Sequence, residues 1–347
     1  MTLKERIESF SELGEILRGS LAGTNTTFSS PLNDLLTSQQ LNNPWFTPPN
    51  VRLALEAISR ELTYSNLAKW TGSYPELDGK RDPSRVGVIM AGNIPLAGFH
   101  DFLCVLISGN SILARTSSKD PDLIRFIGGI LASINQGFKE RITFTEDPLA
   151  GFDAVIATGS DNSSRYFEYY FGKYPHIIRK NRNSLAILGG NETSGQLESL
   201  GQDVFSYFGL GCRSISKIWI PEGYDLSRLT ESWKQYEGII NHGKYAANYD
   251  FSKAVYMVNK ERFTDTGYLL LRENAALSSP VAVLHYQYYN DHDTAEAESD
   301  LLKEKIQCVT GRNHIPFGEA QFPHLWDYAD GIDTLDFLLK KNHPGTS

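Results

Sequence analysis

Apolar residues recur at three- and four-residue spacing from the start of the chain, at Leu3, Ile7, Phe10, Leu13, Ile16, Leu17 and Leu21. That is the period of one helix face, so the pattern predicts an amphipathic amino-terminal helix. A polar stretch over residues 24–30 interrupts it. A second amphipathic helix is predicted after Pro48-Pro49, with Val51, Leu53, Leu55 and Ile58 among its apolar positions. The preceding Asn43-Pro44-Trp45-Phe46 reads as a loop with a large apolar anchor. Residues 72–84 combine Gly, Pro and charge, and read as the connection into a sheet.

From residue 86 the pattern changes. Residues 86–91 are a short apolar run, as in a buried strand. Residues 96–108 are apolar and long enough for a buried helix, with Pro95 at its first turn. Residues 111–115 are strand-like. Residues 122–138 read as a helix with Leu123, Ile127, Ile130, Leu131 and Ile134 on one face. Residues 142–145 and 154–158 are strand-like again. A second series follows: strand 185–188 ending in Gly189-Gly190, helix 196–208, strand 215–220, helix 226–240, strand 281–286 and a charged helix 294–305. Apolar periodicity returns over 332–339. Alternation of this kind predicts an α/β protein whose sheets are mostly parallel and covered on both faces.

Composition narrows the class. The chain has 347 residues, 41% hydrophobic and 21% charged, as in a soluble globular protein. Its net charge of −8 makes it a poor general nucleic-acid binder. No apolar run is long enough to span a bilayer, and the charged start MTLKERIESF is not a signal peptide, so a cytoplasmic location is expected. Cys104, Cys212 and Cys308 are far apart, with no C-x-x-C spacing, which argues against a disulfide framework or structural zinc. The histidines show no metal-binding spacing either.

Chemistry concentrates at a few points. Cys212 follows Phe208-Gly209-Leu210-Gly211 between a predicted helix and strand. Glycines there allow a tight turn and close approach to the sulfur, as a nucleophile requires; the alternative is a buried structural thiol. Asn93, in Gly92-Asn93-Ile94-Pro95, stands where the first strand meets a helix. Its amide is the kind of donor an oxyanion hole uses, or else it caps a turn. Thr158-Gly159-Ser160 runs from a strand into a helix start, where backbone N–H groups can hold a pyrophosphate. No G-x-G-x-x-G follows a strand. Arg115 ends the second strand and can meet a ribose or a 2′-phosphate, or sit on a solvated surface. Lys173, Arg179, Lys180 and Arg182 are either a phosphate contact or a solvated face. His100 is either a core histidine or a partner for Cys212.

Taken in order along the chain, these segments resemble the aldehyde dehydrogenase superfamily, and within it the acyl-CoA reductases of the bacterial bioluminescence fatty-acid reductase type. Residues 86–96, ending in Asn93-Ile94-Pro95-Leu96, resemble the strand and turn that supply the oxyanion asparagine. Residues 108–118 resemble the Gly-Asn strand ending in Lys-Pro-Ser-Glu, with Arg115 where lysine is usual and Ser117 beyond it. Ala157-Thr158-Gly159-Ser160 resembles the cofactor loop, residues 208–212 the segment bearing the nucleophile, and residues 327–337 the carboxyl-terminal region. The resemblance implies two αβα domains: a helical segment over 1–80, a cofactor domain over 81–190, a catalytic domain over 191–325 and a terminal segment over 326–347. It also implies catalysis by Cys212 and Asn93. Binding of NADPH or NADH would fall to Arg115, Ser117, Thr158, Gly159, Ser160 and Gly189, in a homo-oligomer that uses no metal.

Two departures bear on the reaction. The family's Glu-Leu-Gly-Gly, whose carboxylate activates hydrolytic water, is Ile187-Leu188-Gly189-Gly190 here. The stretch matching Glu-x-Phe-Gly-Pro, whose glutamate holds the nicotinamide ribose, is Ala276-Leu277-Ser278-Ser279-Pro280. Loss of the first carboxylate fits transfer of an acyl group between thiols and reduction of acyl-CoA, or of an acyl-carrier thioester, to aldehyde. An acyl-phosphate reductase of the same fold, and a non-catalytic binding subunit, are the alternatives.

Overall fold

The computed structural model describes residues 1–79, 82–159 and 161–340. They fall into two compact units, Met1–Asn181 joined by the segment from His324, and Arg182–Pro323.

The first unit opens with four helices, α1 (Leu3–Leu21), α2 (Ser29–Asn42), α3 (Pro48–Glu61) and α4 (Tyr64–Thr71). A capping box starts α1: the Glu5 N–H donates to the Thr2 hydroxyl, and the Thr2 N–H donates to the Glu5 carboxylate. The predicted stripe buries Ile7, Phe10, Leu13 and Leu17. A sheet follows, with β1 (Arg85–Ile89), α5 (Phe99–Ile107), β2 (Ser111–Arg115), α6 (Leu123–Ile134), β3 (Ile142–Thr145), β4 (Ala154–Thr158), α7 (Asp161–Phe171) and β5 (His176–Arg179). Its strands are parallel, in the order β3-β2-β1-β4-β5. The chain leaves β1 towards one edge and resumes at β4 on the other side. The topological switch point therefore lies between β1 and β4, where open α/β sheets form a ligand crevice at their carboxyl ends.

The second unit contains β6 (Asn183–Ile187), α8 (Ser194–Phe205), β7 (Ile215–Pro221), α9 (Ser227–Ser232), α10 (Gly243–Val258), β8 (Thr264–Asp265), β9 (Leu270–Glu273), β10 (Val283–Tyr289), α11 (His292–Leu301) and β11 (Ile306–Gly311). The sheet order is β11-β6-β7-β10-β9-β8, parallel except for β8 against β9. The chain then returns to the first unit as α12 (Thr334–Lys340), whose Leu335 and Leu338 join the core around α1 and α5. The mostly parallel α/β architecture expected from the alternation is the one found. The division falls at residue 181, because β6 pairs with β7 and β11 and so belongs to the second unit.

Several helices are shorter than their apolar patterns. The one predicted from residue 96 starts at Phe99, because Leu96 adopts a left-handed φ of +58°. The one predicted to 138 stops at Ile134, where extended Asn135 accepts from the Gly137 N–H and starts a 3-10 turn. The one predicted over 226–240 breaks after Ser232 into a second 3-10 turn, Lys234–Asn241.

Candidate active site

In the first unit, β1, β2 and β4 end level with one another. Ile89 pairs with both Arg115 and Ala157. Asn93, Arg115, Ser117, Thr158 and Gly159 therefore gather along one sheet edge, at the switch point. Ser160 lies outside the described residues. Asn93 is exposed; Arg115, Ser117, Thr158 and Gly159 are half-buried. Among the described residues the Arg115 guanidinium has no hydrogen-bond or ion-pair partner. The Asn93 and Ser117 turns touch, for a Cβ built on Gly92 would lie 2.3 Å from the Ser117 hydroxyl oxygen. They are also tied by Asp120, which accepts from the Leu96 N–H at 2.8 Å and donates its own N–H to the Ser117 carbonyl at 3.0 Å.

In the second unit, α8 ends at Phe205, and Tyr207, Phe208 and Gly209 follow with φ of +53°, +58° and +75°. Two successive non-glycine residues in this region are strained, at about 1–2 kcal/mol each. Packing holds them: Tyr207 is buried, and the Phe208 ring centre lies 4.3 Å from that of His242. The chain then turns through Gly211–Ser214, closed by the Ser214 N–H on the Gly211 carbonyl at 3.0 Å, and enters β7. Cys212 is exposed on this turn, whereas Cys104 and Cys308 are buried.

Three contacts anchor the turn. Ser184 Oγ donates to the Cys212 carbonyl at 2.8 Å, Arg213 Nε donates to the Ala320 carbonyl at 2.5 Å, and Gln321 Nε2 donates to Ser214 Oγ at 3.3 Å. The thiol is thus exposed on an anchored turn that follows a strained run, where a substrate can reach it as it could not reach a core cysteine.

Gly189 lies at the opposite end of its sheet from Cys212. It follows the carboxyl end of β6, whereas Cys212 precedes the amino end of the neighbouring β7, whose Ile215 pairs with Ser184. Five residues of strand, about 16 Å, separate the two levels. The Gly189 and Gly190 N–H groups both donate to Glu192, at 2.5 and 3.2 Å, so Gly189 has no backbone donor left for a cofactor. Ile187 is buried with Leu185, Trp219, Ala295 and Ile306.

A scan of known protein families and a search of curated proteins find no match. Solved structures do match. One is aldehyde dehydrogenase 21 of Physcomitrella patens in complex with the reaction product succinate (TM-score 0.57, 11% identity, 96% of this chain and 84% of that one). Another is an aldehyde dehydrogenase of Mycobacterium tuberculosis complexed with NAD+ (TM-score 0.57, 14% identity, 87% and 72%). A third is an acetylating aldehyde dehydrogenase of Geobacillus thermoglucosidasius (TM-score 0.57, 13% identity, 89% and 76%). The chain has the aldehyde-dehydrogenase fold.

Within that fold, two of the sequence candidates are structural. His100 Nε2 bonds the Leu325 carbonyl at 2.8 Å, and its ring packs against Trp70 and Tyr328. Arg179 is buried against the Asp101 carboxylate and the Thr334 hydroxyl, so it is not available to a phosphate. Sequence reasoning missed three carboxylates that organise the turns: Asp120, Glu192 and Asp203. Asp203 falls on the apolar spacing Leu197, Leu200, Val204 of its helix, and an acid on a buried face is a signal in itself. Asp120 precedes Pro121, a turn signature. No group of three or more His, Cys, Asp or Glu among the described residues is arranged to hold a metal.

Proposed function

We propose that the chain is a nicotinamide-dependent reductase that takes an acyl group from a thioester onto Cys212 and releases it as an aldehyde. The observation that carries this reading is Cys212 itself: exposed, on an anchored turn just after the strained run 207–209, in a chain of aldehyde-dehydrogenase fold. Ile187 sets the direction. Where the resemblance would put a water-activating glutamate stands an isoleucine packed among Leu185, Trp219 and Ile306. The isoleucine itself offers no base for water, and the one carboxylate described at the following turn, Glu192, is engaged by the Gly189 and Gly190 N–H groups.

The Cys212 thiolate attacks the thioester carbonyl, and its S–C bond forms as negative charge moves onto the oxygen. The Asn93 amide is the donor proposed for that oxygen, a role typically worth about 3–4 kcal/mol. Collapse expels the donor thiolate, coenzyme A or an acyl carrier, and leaves the acyl group on Cys212.

The carboxyl edge of the first sheet fits a dinucleotide. It offers a half-buried arginine with no partner among the described residues, two hydroxyls and the switch-point position. Arg115, Ser117, Thr158 and Gly159 would hold the group, and the Arg115 charge favours NADPH over NADH through the extra phosphate. When bound, the cofactor supplies the hydride that reduces the acyl group.

The test is intact-protein mass spectrometry after exposure to acyl-CoA of several lengths, with NADPH oxidation followed in parallel. The expected result is an acyl adduct at Cys212 that disappears on adding NADPH, and none on Cys212→Ala. Adducts formed from acyl phosphate and not from thioester would replace the donor class. No adduct from either would end the reading and favour a binding subunit.

A further inference from the structure

We infer that Asp203 is a positioning residue for the nucleophile turn, acting from α8 through the segment 318–321. This rests on the reading of Cys212 as the reactive thiol. Asp203 is fully buried, and its two carboxylate oxygens accept from the backbone N–H groups of Gly318, at 2.7 Å, and Ala320, at 3.0 Å. The segment it holds carries the Ala320 carbonyl and the Gln321 amide. Those two groups bind Arg213 and Ser214, the residues directly after Cys212. A closed ring results, from α8 through Asp203 to the segment, through Arg213 back to the turn, and along the left-handed run 207–209 to α8.

The ring is built to close tolerances. Gly318 has φ +90°, and a Cβ on it would lie 3.1 Å from the Ser199 Cβ, so the segment enters against α8 where only glycine fits. A buried carboxylate is a costly way to satisfy two N–H groups, and its desolvation serves no packing need. What it adds is a strong, charge-assisted pair of bonds across the ring.

The same charge makes the ring sensitive to pH. Burial, followed in smaller part by the nearby Glu319, pushes the Asp203 carboxyl up to about 7, while its two N–H bonds and Arg213 hold it down. The other titratable group facing it is Tyr236, in the 3-10 turn after α9, whose phenol is pushed up by burial and by the Asp203 charge. With Asp203 ionised the ring is tight. With it protonated the bonds to Gly318 and Ala320 fall to neutral strength, roughly half.

Hydrogen exchange of the full chain, corrected for intrinsic pH dependence, tests this with no substrate present. Protection of the peptides 317–321 and 207–214 is expected to fall together, on the order of tenfold, between pH 8 and pH 6. Asp203→Asn is expected to show low protection in both peptides at both pH values. If that variant does not fold, the wild-type pH comparison decides alone. A response in 317–321 without one in 207–214, or none in either, would overturn the inference. If both peptides respond but Cys212 never accepts an acyl group, the positioning role stands and the proposed reaction falls.

Discussion

The backbone N–H of Leu96 donates to a carboxylate oxygen of Asp120 at 2.8 Å, and at that point Leu96 holds a left-handed φ of +58°. A leucine there costs about 1–2 kcal/mol, which the hydrogen bond offsets. The pair fixes the turn that carries Asn93 three residues earlier. The other Asp120 oxygen is buried without a partner among the described residues.

A pH-dependent stability follows from that burial, which pushes the Asp120 carboxyl up to about 6 against the pull of the Leu96 and Leu123 N–H groups. The fold therefore favours the neutral acid. Its contribution is complete below the unfolded value near 4 and is lost as pH rises through about 6. Asp120→Asn removes the ionisation. Denaturant unfolding of both proteins from pH 4 to pH 8 should show the variant gaining on the wild type by ~2 kcal/mol up to pH 7 and no further change above it. A difference that stays constant over that range would contradict the assignment.

Gly92 and Ser117 give a steric prediction. Alanine at 92 would place its Cβ 2.3 Å from Ser117 Oγ and 2.6 Å from Ser117 Cβ. The Oγ can rotate away, but the Cβ cannot, so the two turns must separate. Overpacking of this kind costs about 1–3 kcal/mol. Gly92→Ala should lower the melting temperature and weaken NADPH binding measured by fluorescence titration. Adding Ser117→Gly should recover the stability but not the affinity. A Gly92→Ala protein as stable as the wild type would show that the turns are loose.

Much of this was legible in the sequence because parallel sheets bury both faces, and their strands stand out as short apolar runs between amphipathic helices. β1, β2, β4, β6 and β7 were read that way, as was α1 from its leucine stripe. What was not legible has identifiable causes. α2 buries only Leu32, Leu36 and Gln39, too narrow a stripe to register. α10 turns Tyr245, Tyr249 and Tyr256 inward at helical spacing, but an amphipathic tyrosine does not mark a face as apolar. Helix ends were misplaced where non-glycine residues take left-handed backbone, at Leu96 and at Tyr207-Phe208, because tertiary packing and not local preference sets those angles. The strand-end positions Asn93 and Arg115 and the turn position Cys212 could be located from order alone. The occupation of Arg179 by Asp101, and of Gly189 by Glu192, could not, because it depends on residues distant in sequence or on turn geometry.

Asn93 should separate catalysis from stability. It is exposed, so Asn93→Ala is expected to leave the melting temperature within a degree or two. If its amide holds the developing oxyanion, kcat for acyl transfer should fall by about 10²–10³ with little change in KM. Single-turnover acylation of Cys212 is the direct measure. A rise in KM with kcat intact would make Asn93 a binding group instead.

Two arginines at strand ends have opposite fates, and that yields the last prediction. Arg179 ends β5, pairs in register with Thr158, and is buried against Asp101 and Thr334. Arg115 ends β2 at the same sheet edge, half-buried, with no partner among the described residues. Removing one member of a buried ion pair strands the other, at about 3–5 kcal/mol. Arg179→Met should therefore destabilise the protein by that amount and leave the ratio of NADPH to NADH affinity unchanged. Arg115→Ala should leave stability nearly untouched and cut NADPH affinity about tenfold more than NADH affinity, because only the former carries the extra phosphate. Chemical denaturation and parallel titrations with the two cofactors read both halves. Equal losses for NADPH and NADH on Arg115→Ala would move that arginine from the 2′-phosphate to a part common to both.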